Sequence, residues 1–274
     1  MRPGYARGAG AGRIQSPTVA ADPPSSDYMQ NLPGGTSSVR DLQFVDAISG
    51  NDATYDTDWA IGNFGGGSIT LSRLADAGFG VTGAGCRMAF ELGVSEAGQS
   101  PRIETSFTAQ DTLYLSIHVT LSALYADWPS NKLKLWTINQ GVGGKNIILS
   151  LLRDTYGGDV ALGHYLDIFA AEISSNYLNN HNEAARGAGF GTSLEAGKKY
   201  EIEILVQQST GTIKWWQRNE TDALAPVQIG NHTGLALTVD YTDYQLITQM
   251  GGAATSPTTF NADYGRIRAE GIAA

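Results

Sequence analysis

The sequence predicts an all-β protein of the sandwich or jelly-roll type. From about residue 38, short segments recur in which apolar and polar residues alternate, as expected of half-buried strands. Glycine accounts for 34 of the 274 residues, which suits a fold with many tight turns. No convincing long helical pattern is found, and many short strands separated by turn signals are typical of sandwiches and jelly rolls.

Nine segments carry the alternation most clearly. In chain order they are residues 68–74, 86–94, 112–122, 132–138, 146–154, 165–173, 199–208, 212–218 and 264–272. The residues that join 199–208 to 212–218 are Ser-Thr-Gly, which predicts a tight turn and therefore a β-hairpin over 199–218.

Two adjacent tryptophans in the second strand of this hairpin must face opposite sides of the sheet. Trp215 lies in phase with the apolar residues of the partner strand, so we expect it in the core. Trp216 is in phase with charged residues, namely Lys214, Arg218, Glu201 and Glu203. A large apolar ring among charges predicts that Trp216 contacts an interface or a covering segment.

Residues 1–37 are predicted to form an extended N-terminal arm, and residues 38–274 the β-sandwich. The first 25 residues are rich in Gly, Ala and Pro, and cannot bury enough apolar surface to fold alone. Their three arginines, Arg2, Arg7 and Arg13, against one aspartate give +2, whereas the remaining 15 basic and 26 acidic residues give −11. A basic arm on an acidic body predicts contact with other subunits through the arm, in a homo-oligomer or a capsid lattice; the alternative is a disordered tail.

Charge and composition argue against several classes. A net charge of −9 makes nucleic acid an improbable partner. Neither a membrane span of about 18 apolar residues nor a secretory h-region is expected in this chain. The single cysteine, Cys86, excludes an intramolecular disulfide.

Four longer stretches resemble the concanavalin A-like jelly roll, and within it the polysaccharide lyases of the heparin and alginate lyase kind. They are residues 100–107, 113–141, 196–220 and 246–271, and the likeness covers roughly residues 38–272. The resemblance implies two back-to-back antiparallel sheets, one of them concave with a glycan groove. It does not imply activity, because this fold hosts lyases, hydrolases, lectins and structural modules.

The resemblance also suggests site residues. A uronate lyase needs a group that neutralises the carboxylate and a base that removes the C5 proton. The catalytic candidates are Arg102, His118, Gln140 and Tyr264, and the glycan-binding candidates are Arg102, Glu104, His118, Trp136 and Gln140. His118 belongs to the more polar face of its strand, which fits either a groove or a solvated sheet. Val142 stands where the alginate lyases have a histidine, which argues against catalysis.

Other chemistries have less support. Asp52, Asp56 and Asp58 could supply loop oxygens to Ca²⁺, but their spacing does not fit an EF-hand, so we expect no cofactor. Glu201 and Glu203 share a strand face, yet the Glu-x-Asp-x-x-Glu motif of the laminarinase-like members is missing. We interpret the two glutamates as solvent-facing residues that aid solubility.

Two functions from different classes remain. The favoured one is a non-catalytic surface protein of a multi-subunit particle, such as a phage capsid decoration or cement protein on the virion surface, which also binds glycans. The alternative is an extracellular polysaccharide lyase that acts through the concave sheet. Interface residues are expected in the arm (Arg2, Arg7 and Arg13) and at Trp216.

Overall fold

A computed structural model describes residues 34–42, 60–63, 69–75, 77, 79, 84–90, 101–124, 132–139, 146–153, 164–170, 178, 193–238, 240–250 and 260–273. These residues contain thirteen strands and no helix, which confirms the predicted all-β class. The strands are β1 Ser37–Leu42, β2 Ala60–Asn63, β3 Ile69–Leu74, β4 Gly85–Phe90, β5 Pro101–Leu121, β6 Lys132–Asn139, β7 Asn146–Arg153, β8 His164–Ala170, β9 Lys199–Gln207, β10 Thr212–Asn219, β11 Val227–His232, β12 Tyr241–Met250 and β13 Phe260–Ala273.

The 21-residue strand β5 belongs to both layers of the sandwich. Its first half pairs with β2 and β12, and its second half pairs with β9 and β13, all antiparallel. The first layer is therefore β2, β5, β12, β6, β7 and β8. The second layer is β11, β10, β9, β5 and β13, with β1 and the β4–β3 pair beyond β13. The sequence pattern predicted a strand only over residues 112–122, whereas the structure shows one strand that begins at Pro101 and passes between layers.

The change of layer occurs near Asp111. This carboxylate accepts hydrogen bonds from the backbone N–H of Ser209 at 2.7 Å and from the Ser209 hydroxyl at 2.9 Å. The turn between β9 and β10 is thereby tied to the point where β5 exchanges neighbours. The side-chain and backbone donors of Ser209 satisfy the Asp111 carboxylate at this point of the strand.

One continuous core lies between the layers. It takes apolar odd-numbered residues of β5, among them Ile103, Leu113, Leu115 and Ile117, each 0% exposed. Even-numbered residues of β5 point away from this core because side chains alternate along a strand. The second layer therefore presents an outer face whose chemistry differs from that of the core.

The hairpin of β9 and β10 confirms the prediction for residues 199–218. Trp215 is opposite Ile204 and is fully buried in the core, while Trp216 is opposite Glu203 on the other face. Gly211 in the connecting turn has a φ of +60°, and a Cβ there would lie 2.0 Å from the carbonyl oxygen of Leu235. Glycine is thus required by both backbone conformation and space.

Candidate functional site

The outer side of β10, β9, β5 and β13 forms a surface that we call the polar face. In one row across the strands, Trp216 is opposite Glu203, Glu203 is opposite Ser116, and Ser116 is opposite Arg268. The neighbouring rows add Arg218, Glu201 and His118 on one side, and Lys214, Leu205, Tyr114 and Glu270 on the other. Regular strand pairing therefore places aromatic, acidic and basic side chains side by side.

The acidic residues at the centre of this face are buried. Glu201 is 1% exposed and Glu203 is 2% exposed, and the neighbouring His118 is 1% exposed. The prediction that the two glutamates face solvent to aid solubility is wrong. Both have partners on neighbouring strands, which alternation along a single strand does not reveal.

Hydrogen bonds hold both carboxyl groups. The Tyr114 hydroxyl donates to Glu203 Oε2, and the Ser116 hydroxyl donates to Glu201 Oε1 at 3.1 Å. Arg218 Nη1 lies 3.6 Å from Glu201 Oε2. Buried polar groups are stable only when they are partnered in this way. The network fixes the orientation of side chains that lie beneath the surface of the face.

His118 is fixed at one end of the network. Its Nδ1 lies 3.1 Å from Glu220 Oε2, in the turn after β10, and its ring centroid lies 5.6 Å from that of Phe79. Burial raises the pKa of Glu220. The effect of burial is outweighed by the hydrogen bond with His118 and by the positive charges of His118, Arg218 and Lys199. The pKa of Glu220 therefore lies below its ordinary value of 4.5. The pair ties the turn after β10 to the sheet.

Trp216 is the half-buried aromatic residue of the polar face. Its ring packs on Tyr114, at 6.3 Å between centroids and 40° between planes, and the two residues form a small apolar cluster with Leu205. Lys214 and Arg218 precede and follow it by two positions, each about 7 Å along the strand. Trp216 thus combines a partly accessible ring with a fixed position between two basic side chains.

Trp215 makes different contacts on the core side. A Cβ on Gly230 would lie 2.1 Å from the Trp215 ring, so glycine alone lets the indole lie against β11. His232 stacks on the same ring, with centroids 5.6 Å apart and planes at 9°. Burial lowers the pKa of His232 below 6.5, although the charge of Asp167 opposes this shift. The edge strand β11 is therefore anchored by aromatic packing.

The structure does not bring the predicted catalytic residues together. His118 lies on the polar face, whereas Tyr264 is 0% exposed in the core on the opposite side of the same layer. Arg102 belongs to the first half of β5, in the other layer; its side chain and all of Gln140 lie outside the described residues. His118 and Tyr264 therefore do not face the same surface.

The predicted glycan-binding residues are also divided. Glu104, in the first layer, accepts a hydrogen bond at 3.1 Å from Gln245 on β12. Trp136 is 1% exposed and packs on Tyr244 between the layers, so its ring has no surface to offer a sugar. Trp216, which was predicted only as an interface residue, is the partly accessible tryptophan on the polar face.

Several predicted residues lie outside the described part of the chain. They are Arg2, Arg7 and Arg13 of the arm, and Asp52, Asp56 and Asp58 of the proposed calcium loop. Among the residues that are described, no cluster of three or more His, Cys, Asp or Glu side chains could hold a metal ion. The same residues include no helix that is long and apolar enough to span a membrane.

Comparison with solved structures identifies the class of fold. No family model matches the chain, and no curated protein does. The described strands, their registers and the solved structures below nevertheless define a concanavalin A-like jelly-roll sandwich, as predicted.

Three similar structures have names that mention glycans. A mutant of alginate lyase Aly36B in complex with alginate tetrasaccharide is 12% identical with a TM-score of 0.53, covering 86% of this chain and 99% of that one. Cellulose induced protein Cip1 is 14% identical with a TM-score of 0.53, covering 81% and 95%. An endo-acting O-glycanase of mucin breakdown from the human gut microbiota is 9% identical with a TM-score of 0.52, covering 86% and 100%. At such identities the likeness establishes the fold alone.

Proposed function

We propose that this protein binds glycans through the polar face, with Trp216 as the central contact. One observation carries the proposal: a half-buried indole is held by Tyr114 and Leu205 between two basic side chains, above a fixed hydrogen-bonding network. Binding sites for small molecules typically combine aromatic surface with a few precisely placed polar groups. An amphipathic ligand with an apolar ring face and hydroxyl groups at its edges, such as a sugar, suits this combination.

The similar structures support the same class of ligand. Two of their names refer to alginate and to mucin O-glycans as the molecules bound or broken down, and the third names a protein induced by cellulose. Fold alone does not determine function, and the proposal therefore depends on the side chains of the polar face.

We assign binding and not cleavage to this face. A lyase needs its base and its carboxylate-neutralising group on one surface. His118 and Tyr264 lie on opposite sides of a layer, and His118 is held by Glu220 beneath the surface. A lyase that uses the predicted residues is therefore not supported by the described geometry.

The place of action remains a prediction. A surface role on a phage capsid, with subunit contacts through the arm, is compatible with glycan binding but depends on Arg2, Arg7 and Arg13, outside the described residues. The virion surface and the extracellular space are the two locations that this function would suit.

Isothermal titration with three probes tests the proposal: alginate tetrasaccharide, a cello-oligosaccharide and mucin O-glycans. We expect at least one to bind, and Trp216→Ala to weaken that binding about 30-fold, because a central tryptophan contact contributes about 2 kcal/mol. Leu224→Ala is the matched control, since Leu224 is a 48% exposed apolar residue outside the polar face. Equal affinities of Trp216→Ala and wild type, or no binding by any probe, would contradict the proposal.

A further inference from the structure

A buried carboxyl group lies next to Trp216 in the polar face. Glu203 is 2% exposed, and the strand registers place it opposite Trp216 on β10 and opposite Ser116 on β5. Moving a carboxylate out of water is costly, and only well-placed hydrogen bonds offset that cost. The hydrogen-bond partners of Glu203 are therefore held as firmly as the carboxyl group itself.

Two contacts connect this carboxyl group to the indole. The Tyr114 hydroxyl donates to Glu203 Oε2, and the Tyr114 ring packs on Trp216 with centroids 6.3 Å apart and planes at 40°. The terminal torsion of a tyrosine has a broad range, so a hydrogen bond at the hydroxyl end restricts the plane of the ring. Tyr114 is fully buried, whereas Trp216 is half-buried. The contacts therefore run from a fixed, buried acid to a partly accessible ring.

We propose that Glu203 is a positioning residue, which acts through Tyr114 to hold the Trp216 indole in the orientation that receives a sugar. The inference rests on the proposed glycan binding and gives the buried carboxyl group a role in it. A ring that is already ordered loses little conformational freedom when a ligand binds. Ordering one side chain in advance corresponds to about three- to tenfold in affinity. Glu203 therefore contributes to affinity without contacting the glycan.

The orientation of the indole can be measured without any glycan. The Tyr114 ring current acts on Trp216, so the indole N–H signal in NMR of the ligand-free protein reports how the two rings are arranged. Tyr114→Phe keeps the ring and removes the donor, and Glu203→Met removes the acceptor. We expect both variants to move the Trp216 signal in the same direction, whereas Glu203→Gln, which keeps an oxygen acceptor, leaves it close to the wild-type position. An unmoved signal in Tyr114→Phe overturns the proposal.

Isothermal titration with the probe that binds the wild type measures the effect on affinity. We expect Tyr114→Phe and Glu203→Met each to raise the dissociation constant about three- to tenfold. The double variant should bind no more weakly than either single variant, because both changes break the same contact. Glu203→Gln should stay within about twofold of the wild type, because the acceptor is kept. Losses that add in the double variant, or wild-type affinity of Tyr114→Phe, overturn the proposal.

Asp167→Asn is the matched control for the loss of a buried carboxylate. Asp167 is 0% exposed on β8, in the first layer and outside the polar face, so this variant should bind as the wild type does. If it weakens binding as much as Glu203→Met, general destabilisation explains the effect and the positioning role is overturned. Wild-type affinity of Trp216→Ala contradicts glycan binding by the polar face. Binding that depends on Trp216 but not on Glu203 or Tyr114 contradicts the positioning role alone.

Discussion

The buried contact between Tyr114 and Glu203 gives the sharpest test of the polar face. Tyr114 is 0% exposed and Glu203 is 2% exposed, and the phenol donates to the carboxyl group across neighbouring strands. Tyr114→Phe removes this donor but keeps the ring that supports Trp216, so it creates no large cavity. Any loss of stability then reports on the hydroxyl group and its contacts.

The expected loss follows from burial. A buried polar group that loses its partner costs about 1–3 kcal/mol, because water cannot replace the missing donor. Glu203 has further interactions, so its own substitution changes more than one contact. A double-mutant cycle of Tyr114→Phe and Glu203→Met cancels those other contributions and isolates the pair.

Urea unfolding of the wild type, both single variants and the double variant provides the four free energies. We expect a coupling energy of about 1–3 kcal/mol between Tyr114 and Glu203. A coupling energy below about 0.5 kcal/mol would refute the claim that this hydrogen bond holds the polar face.

Three further outcomes are expected. Gly230→Ala should lower the free energy of unfolding by about 1–3 kcal/mol in urea, because its Cβ would overlap the Trp215 ring; wild-type stability would contradict the packing. Glu220→Gln should make the protein lose less stability as the pH falls below 4.5. Because the folded-state pKa of Glu220 is lowered, its ionised carboxylate stabilises the fold above that pH and loses this contribution as the pH falls through the folded-state pKa. The same decline in the free energy of unfolding for variant and wild type below pH 4.5 would contradict this. The pKa of His232 measured by NMR should lie below 6.5, and the free energy of unfolding should decrease as the pH falls through that range. Burial lowers the folded-state pKa, so the unfolded chain binds the proton more readily. A pKa at or above 6.5 would contradict the burial of His232.

Strand alternation was enough to predict the all-β class and the opposite faces of the two tryptophans. Trp215 and Trp216 could be assigned to opposite faces because a strand has a period of two, and the partner strand identified the core side. The junction in β5 was not predictable in the same way. The sequence pattern began this strand only at residue 112, and the contacts of Asp111 with Ser209 tie the continuous strand to the turn between β9 and β10.

Burial of the polar face could not be inferred from any single strand. Glu201 and Glu203 were predicted to face solvent, because they alternate with apolar residues on β9. Their partners Tyr114, Ser116 and Arg218 lie on neighbouring strands, which come together through registers between distant segments. Trp136 and Tyr264 were placed in a site by resemblance, but their strands turn them toward the core.

NMR of the indole N–H groups tests the central claim most directly, since the chain has five tryptophans and each gives one signal. In a titration with the glycan that binds, we predict a saturable shift of the Trp216 signal, assigned with Trp216→Phe. The signals of Trp136 and Trp215, which are buried in the core, should stay in place. Saturable glycan binding that leaves the Trp216 signal unmoved would show that the polar face is not the binding surface.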